Sequence, residues 1–178
     1  RGAEISHTTL NSQRLKELST EEIHDRIYNC DDERLFVIYE ALKRGITKDE
    51  IHNITKIDRW FLSKLEKLIK MEYRLETKTL SDELYLEAKK MGFLDCSIEE
   101  ISHQKIKNKR YASYKMVDTC AAEFAAETPY FYSSFDDENE AIQFLQVNGS
   151  NKETVIVFGS GPIRIGQGIE FDYASVQC

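Results

Sequence analysis

Helix-capping signals recur through the first two-thirds of this sequence, and they restrict it to a string of short helices. Ser19 with Glu22, Thr47 with Glu50 and Ser97 with Glu100 each place a hydroxyl three residues ahead of a glutamate. In that spacing the hydroxyl accepts from a first-turn amide and the carboxylate reaches back to the cap. Asp31 or Asp32 is placed to cap a further helix carrying Leu35, Ile38, Tyr39 and Leu42 on one face, with Gly45 to end it. Lys43 and Arg44 sit near its negative end, where the helix dipole favours cations. A long helix is predicted from Asp58 through Glu76, its stripe formed by Phe61, Leu65, Leu68, Glu72 and Leu75 and widened by Trp60, Leu62 and Ile69. Trp60, Phe61 and Leu65 could serve an interface or the core, and the core is expected for Trp60 and Phe61, because aromatic residues on such stripes usually pack internally. A further helix, Ser81 to Met91, presents Leu84, Tyr85, Ala88 and Met91, with Gly92 as a left-handed stop. The expected class is mainly α, a helical bundle.

Charge narrows the function. With 24 Lys and Arg against 31 Asp and Glu, the net charge is −7 and the pI about 5.2. Phosphate-backbone affinity comes from clustered cations, so a nucleic-acid partner is disfavoured. The basic stretch Lys105, Lys107, Lys109 and Arg110 is read as a solvated face, and Thr47 to Leu68 could be drawn as a helix-turn-helix only against the bulk charge. No apolar run is long enough to span a membrane, and the segment beginning Arg1 lacks a signal pattern, so no membrane partner and a cytoplasmic location are expected. Cys30, Cys96, Cys120 and Cys178 form no C-x-x-C and the four histidines no H-E-x-x-H, so reduced thiols packed as small hydrophobes are expected and zinc is disfavoured. The spacing assigns no catalytic, cofactor-binding or metal residue.

The character changes after Tyr111. Small residues crowd positions 118–126, Pro129 introduces a strand-prone run from Tyr130 to Phe135, and Asp136 to Gln146 suits a helix or an irregular turn. After the break at Asn148 to Asn151, Thr154 to Phe158 form an apolar run typical of a buried parallel strand, followed by Gly159, Gly161, Gly166 and Gly168. This is the opening of a doubly wound α/β domain whose second strand is missing, so the end reads as cut from something longer. The loop satisfies neither phosphate fingerprint: Arg164 stands where the third glycine belongs, and Gln167 follows Gly166 where a P-loop needs lysine.

Two long phrases carry a resemblance. TVIVFGSGPIRIGQGIEFDYASVQC, Thr154 to Cys178, closely resembles the start of the second synthetase half of the carbamoyl-phosphate synthetase large chain. YKMVDTCAAEFAAETPYFYSSF, Tyr114 to Phe135, resembles the segment preceding that half, and ITKIDRWFLSKLEKL, Ile54 to Leu68, resembles the helical oligomerization domain linking the two halves. The resemblance implies a division into an N-terminal lead-in (1–18), a helical oligomerization domain (19–112), a connector (113–151) and the first strand and glycine-rich turn of a truncated pre-ATP-grasp domain (152–178).

For the parent, the resemblance implies an ATP-dependent ligase making carbamoyl phosphate from bicarbonate, glutamine-derived ammonia and two ATP, for arginine and pyrimidine synthesis. ATP, magnesium or manganese, and potassium are implied cofactors of the parent, with none expected in this piece, which alone is expected to be inactive. Implied partners are the rest of the large chain, a small glutaminase chain and further large chains met through the helical domain. The resemblance also implies that Ile163, Gln167, Gly168 and Glu170 help to wall a carbamate tunnel; Gly168 leaves room where a side chain would plug it. The competing reading is a free-standing helical binding module, with nucleic acid as a candidate ligand.

Overall fold

The computed structural model describes residues 8–118, 123, 130–149 and 153. The chain divides into two units, residues 1–139 and 140–178. Among the described residues of the first unit, seven helices precede a hairpin: α1 (Gln13–Lys16), α2 (Thr20–Ile27), α3 (Arg34–Lys43), α4 (Lys48–Thr55), α5 (Arg59–Thr77), α6 (Asp82–Lys90), α7 (Asp95–Ser102), β1 (Ser113–Met116) and β2 (Phe131–Ser134). In the second unit, the described part is α8 (Glu140–Asn148), which settles the acidic stretch there as helix from Glu140 onward.

Local chemistry sets most boundaries. Ser19 and Glu22 close a full capping box at 3.2 and 2.7 Å, Asp58 accepts from the Trp60 amide at 2.7 Å, and Ser81 accepts from the Leu84 amide at 3.2 Å. Thr47 makes half its box, accepting from the Glu50 amide, because the Glu50 carboxylate instead accepts from His24 Nε2 at 3.0 Å. At the other ends, Gly45 (φ 89°) and Gly92 (φ 93°) are left-handed. Each closes the paired bonds of a Schellman cap: Gly45 N–H to Leu42 and Ile46 N–H to Ala41, then Gly92 N–H to Lys89 and Phe93 N–H to Ala88.

Two expected caps are corrected. Glu33 is the cap residue of α3 and makes no side-chain cap bond; Asp31 instead accepts from the Glu33 amide at 3.0 Å, shaping the turn before the helix. Ser97 lies inside α7, which starts at Asp95. It is buried, and its hydroxyl donates to the Thr8 carbonyl at 3.3 Å, so it is a tertiary tie and not a cap.

Two hydrophobic cores share α5. The first gathers Leu15, Ile23, Ile27, Phe36, Val37, Ile38, Ala41, Ile51 and Leu62, with Leu65 packed against it. The second gathers Met71, Leu75, Leu84, Tyr85, Ala88 and Ile98. At about 100° per residue, the Leu62 and Leu65 face of α5 lies roughly 130° round the axis from the Met71 and Leu75 face. The helix therefore turns one side to each core. Helix α3 is buried almost all round, except that Leu35, expected on its packed face, is 48% exposed. Arg44 at its end donates to the carbonyls of Leu18, Leu15 and Lys16 at 2.7, 2.9 and 3.3 Å, satisfying the open end of α1.

The hairpin pairs β1 with β2 antiparallel, Ser113 opposite Ser134 and Met116 opposite Phe131. Ser113 Oγ donates to the Asp136 carbonyl at 2.9 Å, tying the start of β1 to the chain just after β2.

Candidate interaction site

A polar seam lies along the C-terminal half of α5, beside the second core. Glu72 is buried there; its Oε1 accepts from Asn11 Nδ2 and its Oε2 from Lys43 Nζ, both at 2.8 Å. Lys43 Nζ also donates to Asn11 Oδ1 at 2.8 Å. Burial, and then the neighbouring Glu72 carboxylate, push the Tyr39 phenol well above the ordinary tyrosine range. A cavity of about 290 Å³ opens beside the seam, lined by Leu10, Leu35, Phe36, Tyr39, Leu68, Glu72, Met91 and Phe93 among others. The single charge within the apolar stripe of α5 was the available sequence signal for this seam, since a buried carboxylate requires a partner.

The first turn of α5 presents the second feature. Trp60 and Phe61 are 58% and 60% exposed, which corrects their expected place in the core. Their rings meet edge to face at 5.0 Å, and Lys64 Nζ stands 4.4 Å from the Trp60 ring centre. The cause is the rotation of α5: Phe61 continues the face that α6 and α7 cover further along, while the first core takes Leu62 and Leu65 from another side.

Exposed apolar residues also gather on the hairpin, where Tyr114, Met116, Phe131 and Tyr132 all stay open. The acids after β2 face cations: Lys115 Nζ lies 3.3 Å from Glu138 and 3.9 Å from Asp136, with its own ionisation held up chiefly by the Glu138 hydrogen bond. In the basic stretch, Lys105 pairs with Glu99 at 2.8 Å. Cys30 and Cys96 are free thiols and exposed, not packed as expected; Cys30 Sγ accepts from Arg34 Nη1 at 3.1 Å. Cys120 and Cys178 lie outside the described residues, as do the Thr154 to Phe158 run and the tunnel candidates Ile163, Gln167, Gly168 and Glu170. Among the described residues, no group of three or more His, Cys, Asp or Glu could hold a metal ion. None of the described helices is long and apolar enough to cross a membrane.

The described residues thus form a helical bundle with two cores, an exposed aromatic pair at the start of α5 and an antiparallel strand pair. Residues 1–116 match the family model of the carbamoyl-phosphate synthetase large chain, oligomerisation domain, and residues 151–178 match that of the carbamoyl phosphate synthase preATP-grasp domain. The chain belongs to the carbamoyl-phosphate synthetase large-chain family. It is 51% identical over 167 residues to the carbamoyl phosphate synthase large chain of Lachnoclostridium phytofermentans, covering 89% of this chain and 15% of that one. It is 50% identical over 169 residues to the large chain of Agathobacter rectalis, covering 90% of this chain and 15% of that one. The chain thus spans about 15% of the length of these relatives. These matches lend no support to a free-standing nucleic-acid module.

Proposed function

We propose that this segment joins the two synthetase halves of a glutamine-dependent carbamoyl-phosphate synthetase and brings large chains together through its helical unit. One observation carries the reading: an oligomerisation-domain match at residues 1–116 is followed, in the same chain, by a preATP-grasp match at 151–178. The parent is then an ATP-dependent ligase that converts bicarbonate, ammonia from glutamine and two ATP into carbamoyl phosphate for arginine and pyrimidine synthesis. It works in the cytoplasm with a small glutaminase chain. ATP, magnesium or manganese, and potassium act in its ATP-grasp domains, and this segment carries no chemistry of its own.

Sedimentation equilibrium of the 178-residue chain across a wide concentration range tests the assembly role. Association with rising concentration supports it, and a strictly monomeric species at high concentration overturns it. We also propose that Ile163, Gln167, Gly168 and Glu170 wall a carbamate tunnel in the intact enzyme. A bulky side chain in place of Gly168 would obstruct a narrow path, so Gly168→Phe uncouples the two ATP reactions; tight coupling in that variant removes the tunnel role.

A further inference from the structure

We propose that the Trp60, Phe61 and Lys64 face of α5 is a seat on which a synthetase half of the same large chain docks, presenting an apolar cleft edged by carboxylate. The proposal rests on the family reading above and names the partner of one surface.

Three observations carry it. At about 100° per residue, Trp60, Phe61 and Lys64 fall on the same side of α5 as Met71 and Leu75. That side is covered by α6 and α7 around Met71 and Leu75, yet Trp60 and Phe61 remain more than half exposed. A protein element seated on them would extend a packed layer that already exists. Two adjacent aromatic rings in edge contact, with an ammonium over one of them, are also the kind of anchor that dominates interface energetics once desolvated.

The second observation is electrostatic. Lys64 sits over the Trp60 ring and Lys67 is exposed one turn further on, while Arg59 at the helix start is paired with Asp49. A two-fold contact with another copy would set this cationic rim against itself, which is unfavourable. A carboxylate-edged cleft complements it. The third is length: the relatives are several times longer than this chain, which covers 15% of each. A neighbour on the same polypeptide is present at a high effective concentration and docks without the entropic cost of bimolecular association.

Maleimide labelling of Phe61→Cys, resolved by peptide mass spectrometry, tests this in the large chain that carries the segment and in the 178-residue chain. In the short chain, position 61 labels at a rate comparable to the exposed Cys30 and Cys96. In the large chain it labels at least ten-fold more slowly, equally so at two protein concentrations a hundred-fold apart. Equal rates in both chains overturn the proposal, and protection that appears only at the higher concentration overturns it in favour of a second copy. Lys64→Cys repeats the measurement, with helical content checked by circular dichroism. Sedimentation of the same large chain reports assembly separately, so this surface can fail while the assembly reading stands.

Discussion

Lys43 and Glu72 meet at 2.8 Å across the boundary between the two cores, with 29% and 8% of their side chains exposed. Removing one partner of such a pair leaves the other's charge poorly compensated. Glu72→Ala is therefore expected to destabilise the helical unit by about 3 kcal/mol. Lys43→Met with Glu72→Leu recovers most of that loss, because a desolvated pair exchanged for apolar side chains of similar size is close to neutral. Urea midpoints of the single and double variants check both expectations.

Gly45 and Gly92 end their helices at positive φ, and a Cβ built on either meets nothing within 4 Å. Alanine at these positions therefore carries a backbone penalty with no steric clash. Gly45→Ala and Gly92→Ala are each expected to cost about 1–2 kcal/mol, with asparagine milder because it tolerates the left-handed region. Thermal unfolding of the alanine and asparagine variants separates the two contributions.

Tyr39 holds its proton more tightly in the folded chain than in the unfolded one. The resulting stability is fully present below the ordinary tyrosine value of 10.0. Above it the unfolded chain ionises first, so stability falls with rising pH and continues to fall until Tyr39 itself ionises in the native state. Tyr39→Phe flattens that alkaline loss relative to the wild type, as urea titrations from neutral to strongly alkaline pH will record.

Ser19 and Ser97 stand in the same sequence pattern and perform different work. Ser19→Ala removes a cap from α2 and is expected to cost about 1 kcal/mol. The reciprocal bonds to Ser19 hold Glu22 below the usual carboxylate range, so that contribution is present above the ordinary glutamate value and is lost as pH falls through the lowered one. Ser97→Ala releases the Thr8 carbonyl and leaves α7 helical, while Glu100→Ala is close to neutral. Amide exchange distinguishes a frayed α2 from a loosened segment near Thr8.

The contrast explains what could be foreseen. The Ser19 box, the Asp58 and Ser81 caps and the Gly45 and Gly92 stops all arise from atoms within a few residues of one another, so spacing alone exposes them. Ser97 is decided by a carbonyl 89 positions away in sequence. Trp60 and Phe61 read as core because a helical stripe records which side is apolar, not how far the neighbouring helices extend along it. Glu72 stands in the α5 stripe as its one charge, but its partners, Asn11, Tyr39 and Lys43, come from two other segments and become neighbours only through packing.

Because α5 presents different sides to the two cores, its residue count acts as a phase setting between them. One residue inserted between Leu65 and Met71 would rotate everything downstream by about 100° and advance it by about 1.5 Å. Met71 and Leu75 would then swing away from α6 and α7, and Glu72 would lose its register with Lys43. Substitutions along this helix are matters of degree; a change in its length would dismantle the alignment of both halves at once.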